Sequence, residues 1–278
     1  MLRAVAFAAA LIVAVPAAAQ DWRPLDPENT LVIDTSKGRM VVEMRPELAP
    51  KAVERIKLLA RERVYDGLQF HRVIRYFVAQ TGNPNNQDGG ASGHPDLEPE
   101  FTFPLPGTAP CAPDALICVS PTRPAPNAVT IVARRADGLS GLVGSVPIEA
   151  EDGPRGWRGW AAYCPGVAGM GRQADPASGN SEIFFMRGPA RRLDHDYTAW
   201  GRVVVGEAII GELAAGEPPT RPDTMIRVRV ASDMPASERP RVEVEDGAAL
   251  QRRVQSIRAA KGADLSVCDV KPAVRVLP

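Results

Sequence analysis

The chain has 278 residues, 45% of them hydrophobic and 24% charged, enough to bury a full core in one large domain or two small ones. Its 33 Lys+Arg balance its 33 Asp+Glu, which removes the electrostatic case for a nucleic-acid partner or for an anionic membrane surface. Proline is abundant, at 27, and aromatic residues make up only 5%, so many turns and long loops are expected.

The first segment is read as lying outside the fold. Arg3 precedes the apolar run AVAFAAALIVAVP, and AAAQ then offers small residues. That is the pattern of a secretory signal peptide over 1–19, cut after Ala19. The run is shorter than the ~20 residues a span requires, and no later segment is apolar enough, so no membrane span is expected in the mature chain. Export permits disulfides. Cys111, Cys118, Cys164 and Cys268 allow three pairings. The short spacing of the first two favours Cys111–Cys118, leaving Cys164–Cys268 to tie the C-terminus to the body. No CxxC occurs, and His71, His94 and His195 lack ligand spacing, so neither a metal nor a cofactor is expected.

A polar lead-in over 20–29 is followed by TLVIDTSKGRMVVEMR, two strands around a Ser36-Lys37-Gly38 turn with period-two alternation from Met40. Ala49, Ala52, Val53, Ile56, Leu59 and Ala60 have helical spacing, with Pro50 in the first turn and YDG at 65–67 as the stop. Residues 68–82 read as strand, with Val73, Ile74, Tyr76, Phe77, Val78 and Ala79 as a buried run. Arg72 and Gln80 sit in that stretch and must face something other than a core. Residues 102–156 are proline-rich and read as an insertion or decorated loop, with strand at 128–134 and 141–148. Compact strands return over 157–205. A short helix follows at 206–215, a strand at 224–231, a helix at 248–261 stopped by Gly262, and a last strand at 273–277. Strands dominate, and the pattern predicts a closed antiparallel sheet with helices at its ends.

Four stretches, in order, resemble the cyclophilin-type peptidyl-prolyl isomerases. VIDTSKGRMVVEMRPELAPKAVERI is similar to the family's opening hairpin and first helix. YDGLQFHRVIRYFVAQTGNP resembles its F-H-R-V-I-x-x-F-x-x-Q-G-G-D segment. GVAGMGRQADPASGNSEIFFM resembles G-x-x-x-M-A-R…S-Q-F-F-I, and LDHDYTAWGRVVVGEAII resembles the L-D-x-x-Y-T-V-F-G-R-V closing segment. The resemblance covers about 28–101 and 157–215. It implies a mainly β fold: a closed eight-stranded antiparallel barrel capped by two helices over 20–232, carrying the insertion, with 233–278 as an extension packed on it. It places the catalytic arginine at Arg72, with Gln80 beside it. The proline pocket falls on Phe77, Val78, Phe184 and Leu193, with Tyr197 at the rim. The strand that pairs with substrate includes Gly171 and Arg172. Glu182 replaces a glutamine at the substrate site, and Thr81 and Asn83 replace the Gly and Asp of G-G-D. Ile183 replaces a phenylalanine, Gly171 an alanine, and Arg192 a large aromatic. The loss of that aromatic is expected to weaken macrocyclic drugs of the cyclosporin type. Glu182 is expected to pair with Arg72 where the two approach, reducing turnover and shifting peptide preference.

The implied function is isomerisation of Xaa–Pro bonds in exported proteins, by a monomer in a bacterial periplasm acting on proline-containing polypeptides. The alternative is a cyclophilin-fold binding module or holdase with little catalysis. An exported hydrolase finds no nucleophile–base pair here. Asp194-His195-Asp196 reads as a surface turn, and His71 as a core or sheet residue. GVAGMG lacks the lysine and strand–helix setting of a phosphate loop. DGGASG at 88–93 reads as a loop lining the groove. Arg252, Arg253 and Arg258 read as a solvated helix face.

Overall fold

The computed structural model describes residues 21–105, 117–118, 129–134, 138–154 and 156–278, with backbone alone at 117–118. The expected signal peptide and the Cys111–Cys118 pairing lie outside the described residues. In chain order the elements are β1 (Trp22–Pro24), β2 (Thr30–Thr35), β3 (Gly38–Met44), α1 (Pro50–Arg61), β4 (Arg72–Val73), β5 (Val78–Thr81) and β6 (Phe103–Pro104). There follow β7 (Ile117–Cys118), β8 (Val129–Arg134), β9 (Gly138–Val143), β10 (Val146–Gly153), β11 (Gly156–Ala161), β12 (Val167–Met170) and β13 (Ile183–Met186). Then come β14 (Ala199–Val205), α2 (Glu207–Glu212), β15 (Met225–Val230), β16 (Arg241–Glu245), α3 (Gly247–Lys261) and β17 (Val274–Leu277).

The main sheet has eight strands in the order β15-β2-β3-β14-β12-β13-β5-β4. It is an open half-barrel, which corrects the expected closed barrel. The edge strands β15 and β4 form no ladder with each other. The seam carries only the isolated bridge Gln69↔Thr224 and a few backbone bonds, among them Gly67 N to Met225 O at 2.7 Å and Phe70 N to Asp223 O at 2.8 Å. The reason lies in β4, which is two residues long and whose outer edge at Val73 is bridged to Gly216 instead of β15. The apolar run expected as one strand breaks there into a turn. Ile74 N donates to Val78 O, Tyr76 takes a left-handed φ of 59°, and its ring is 87% exposed.

Helix α1 buries the expected face, Ala49, Ala52, Val53, Ile56, Leu59 and Ala60. Its N-cap, Ala49, offers no side-chain acceptor. Glu100 supplies one from a distant loop, accepting from Lys51 N at 3.1 Å and Ala52 N at 2.9 Å. The helix ends before the YDG stop. Val64 N bonds to Leu59 O and Arg63 N to Ala60 O, with Arg63 at φ 61°. This is a Schellman closure with arginine where glycine is usual.

The described residues of the insertion form a folded layer, and the strand expected at 128–134 is β8. Strands β6-β11-β10-β9-β8-β7 form a second sheet of six, and the strand expected at 141–148 is two strands, β9 and β10, joined at Gly144-Ser145. The polar lead-in also contains structure: β1 pairs with β16, which pairs with β17, in a third sheet that ties both ends of the described chain together. Helix α3 buries Leu250 and Val254 and lies against the inserted sheet. Its arginines are not simply solvated. Arg253 pairs with Glu245, and Arg258 donates to the Val132 carbonyl of β8.

The two largest apolar clusters among the described residues lie on opposite faces of the main sheet. The inner one gathers Ile33, Met44, Ile56, Phe70, Phe185 and Trp200 beneath α1. The outer one joins Val78, Phe184, Met186 and Leu193 to the inserted sheet, α3, and the disulfide Cys164–Cys268. That bond spans 104 residues of sequence. Closing a loop of this length is worth about 4–5 kcal/mol on chain-entropy grounds, and native disulfides are typically worth about 2–5 kcal/mol. The double variant Cys164→Ser/Cys268→Ser is expected to lose that range of stability in a denaturant titration. Arg63→Gly is expected to gain about 1 kcal/mol in the same measurement, by relieving a side chain held in left-handed backbone.

Candidate functional site

The pleat of the main sheet decides which side chains meet on its outer face. Successive residues of a strand point to opposite sides. Ile183 and Phe185 enter the inner core, so Phe184 and Met186 point outward. Ala79 points inward, so Val78 and Gln80 point outward; Val73 points inward, so Arg72 points outward. Register then aligns these residues. Arg72 is opposite Gln80, Gln80 is opposite Phe184, and Phe184 is opposite Gly169. A Cβ at Gly169 would lie 2.3 Å from the Phe184 ring, so the missing side chain is what lets that ring lie flat across the sheet.

This row edges a hollow of about 280 Å³. Phe77, Val78, Phe184, Leu193 and Tyr197 give it apolar walls; Arg72, Gln80, Glu182, Gly171 and Arg172 complete it, so all ten residues singled out in the sequence line one cavity. Asp88 and Gln173 line it as well. Tyr163 of the outer core stacks on Phe184 with centroids 5.8 Å apart, and Tyr197 meets the same ring edge-on at 5.7 Å. Arg172 holds that wall: it donates to Asp196 Oδ1 at 2.6 Å and lies 4.6 Å from the Tyr197 ring centre. Arg192 sits with its guanidinium 4.3 Å from the centre of the Phe77 ring. A cation thus covers the pocket wall from the position where the resemblance calls for an aromatic.

Arg72 is held from two sides. Its Nη1 donates to Gln80 Oε1 at 2.9 Å, and its Nε donates to Glu217 Oε2 at 2.8 Å. Glu217 comes from the loop after α2, and nothing in its local sequence pointed to this contact. Glu182 does not pair with Arg72, which corrects the expected ion pair. Gln80 stands between them, with its carbonyl toward Arg72 and its amide nitrogen toward Glu182 Oε1 and, at 3.0 Å, Asp88 Oδ1. Asn83 donates to the other Glu182 oxygen. Gly171 makes room for this carboxylate, since a Cβ there would lie 2.3 Å from Glu182 Oε1.

Glu182 is 5% exposed. Burial, followed by the nearby Asp88 charge, outweighs the Gln80 and Asn83 hydrogen bonds and raises its pKa to about 7. His71 is buried beside it, and desolvation lowers the pKa of its imidazole despite the neighbouring Asp88. Histidine spacing in the sequence gave no hint of a cluster, yet folding brings His71, Asp88 and Glu182 together.

Two departures from the family pattern compensate each other. The resemblance gives an acid at position 83 and a glutamine at 182; this chain has Asn83 and Glu182. The structure puts the two in contact, so one carboxylate and one amide still face each other with their places exchanged.

Residues 30–231 match the family model described as cyclophilin type peptidyl-prolyl cis-trans isomerase/CLD. A protein of Brucella suis named probable peptidyl-prolyl cis-trans isomerase is 28% identical over 248 residues, covering 84% of this chain and 97% of that protein. A Helicobacter pylori peptidyl-prolyl cis-trans isomerase is 47% identical over 62 residues, 22% of this chain and 38% of that one. The crystal structure of a cyclophilin from Hirschia baltica superposes with a TM-score of 0.76 at 29% identity, covering 92% of this chain and 93% of that one.

The exchange at 83 and 182 is testable by a double-mutant cycle. Asn83→Asp sets two buried carboxylates together, and Glu182→Gln leaves amide donors facing one another. Each single variant is expected to be destabilised, and Asn83→Asp/Glu182→Gln to recover most of the loss. The expected coupling is about 1–3 kcal/mol, read from urea midpoints; strict additivity would contradict it.

Proposed function

The chain belongs to the cyclophilin-type peptidyl-prolyl cis-trans isomerases and is an isomerase, and from that premise we propose that it turns over Xaa–Pro bonds of exported polypeptides through Arg72 at the edge of the apolar hollow. The observation that carries this reading is the outer-face row, which sets one guanidinium beside a ring-sized apolar recess.

The reaction breaks no bond. The cis and trans forms of an Xaa–Pro peptide differ by about 0.5–1 kcal/mol. They are separated by about 18–20 kcal/mol, because rotation destroys amide resonance. In the twisted state the prolyl nitrogen regains its lone pair and becomes a better acceptor. A donor aimed at it therefore stabilises the transition state more than either planar form. Arg72 is permanently charged and presents a rigid fork of donors. Gln80 fixes the plane of that fork through its carbonyl. Phe77, Val78, Phe184 and Leu193 grip the ring so that rotation is confined to the acyl side.

Lowering the time constant from ~100 s to ~1 ms takes about 7 kcal/mol. One preorganised donor supplies about 3–4 kcal/mol. The hollow and the flanking backbone must supply the remainder.

The leader-like segment at 1–19 supports export, and the Cys164–Cys268 bond is compatible with an oxidising compartment such as the bacterial periplasm. Among the described residues no helix is long and apolar enough to cross a membrane.

In a protease-coupled assay on a proline tetrapeptide, Arg72→Ala is expected to lower kcat/KM by about 10²–10³-fold with folding intact. Arg72→Lys should recover little of it, because a point charge lacks the fork. Unchanged turnover in Arg72→Ala would refute the assignment.

A further inference from the structure

We propose that His71, Asp88 and Glu182 form a binding site for a divalent transition-metal ion of the zinc class, and that its occupancy suppresses turnover. The three side chains come from the β4 entry, the loop after β5 and the β13 entry. His71 Nε2 lies 3.3 Å from Asp88 Oδ1 and 3.7 Å from Glu182 Oε2, and one ligand atom from each residue falls within 4.8 Å of the others. A tetrahedral ion with bonds of about 2.0–2.1 Å needs ligand atoms roughly 3.3 Å apart. The two histidine–carboxylate spacings already match that figure to within a few tenths of an ångström. Asp88 stands on an exposed loop and can close the remainder.

A second observation points the same way. His71 is 4% exposed, and its Nε2 is met only loosely, by Asp88 Oδ1 at 3.3 Å, without a well-formed hydrogen bond. A buried polar atom without a partner is uncommon. Its Nε2 faces two carboxylate oxygens, the surroundings in which a metal ion supplies what the imidazole lacks. The outer shell is also in place. Gln80 donates to Asp88 and Glu182, and Asn83 donates to Glu182, so both carboxylates are oriented by amides. One imidazole with two carboxylates suits zinc or its transition-metal neighbours, whereas magnesium and calcium prefer an all-oxygen shell.

The site also depends on the exchange described above. An acid at 83 and an amide at 182 would leave position 182 without the carboxylate that faces His71.

Suppression follows from the charge the ion would bring. It would place two positive charges beside Arg72, whose Nε is 3.9 Å from Asp88 Oδ2. The effect on turnover rests on Arg72 as the catalytic donor; binding itself does not.

The test is calorimetric titration of the full chain, free of any affinity tag, with zinc chloride at neutral pH, alongside isomerase assays with zinc and then EDTA. Wild type is expected to bind one ion with micromolar or tighter affinity, to lose activity on binding, and to regain it with EDTA. Asp88→Ala alters an exposed loop residue and so spares the core. It should weaken binding at least ~10-fold and raise the zinc needed for inhibition equally, and His71→Gln should weaken binding likewise. No saturable binding, or equal affinity in wild type and Asp88→Ala, would overturn the site. Binding that leaves turnover untouched would overturn the suppression. An Arg72→Ala variant that binds zinc normally but keeps full activity would remove the catalytic reading while leaving the site standing.

Discussion

The two-residue period of the main sheet is the constraint on which everything else hangs. Each of β5, β12 and β13 gives alternate side chains to two different apolar clusters. The inner cluster needs only the half-barrel and α1. The outer cluster is largely shut off from water: Phe184, Met186, Val78 and Leu193 are all under 10% exposed, and the cluster they belong to continues into the inserted sheet and α3. The hollow is the part of the outer face left uncovered. Its floor is therefore continuous with a packed core, and its shape is set by rings that are themselves wedged. Phe184 is fixed by Gly169 beneath it, Tyr163 behind it and Tyr197 at its edge.

Much of this was legible in the sequence because it is local. The hairpin of β2 and β3, the buried face of α1, the stop of α3 at Gly262 and the residues around the hollow follow from alternation, helical spacing and motif register. The unread parts depend on contacts between distant segments. Nothing near Glu217 announces a partner 145 residues away, and nothing near Ala49 announces that Glu100 caps its helix. The turn at 74–77 was hidden for another reason. Tyr76 is apolar enough to pass for core, but its left-handed backbone turns it into solvent. The inserted sheet was masked in part by composition, since several of its described strands are glycine-punctuated and lie within or beside a proline-rich stretch.

The pair at 83 and 182 shows why departures from a motif are better read together than singly. Taken alone, Glu182 suggests a carboxylate poised to neutralise Arg72. The structure gives it a different task. With its pKa at about 7, Glu182 can only accept once it is ionised, and in that state it draws the Gln80 amide nitrogen toward itself and turns the Gln80 carbonyl toward Arg72. Asn83 takes up the second oxygen. Donors and acceptors alternate from Arg72 to Asn83 without a mismatch, and a buried chain of this kind tolerates few substitutions at any one link.

Arg72 is bonded on both sides before any substrate arrives, and the two bonds are unequal in consequence. Glu217 is 53% exposed at its side chain, so the ion pair it makes is worth at most about 1 kcal/mol and is screened by salt. Under the proposed mechanism it would not outcompete a charge-assisted bond to the lone pair of a twisted imide in a desolvated groove. The Gln80 bond lies deeper and is itself anchored by two carboxylates, so it persists and fixes the direction of the guanidinium. Glu217 therefore limits where the free arginine wanders, while Gln80 decides where it points. The proposed mechanism needs the second property, because a donor helps the rotating bond only if it need not reorganise when the lone pair forms.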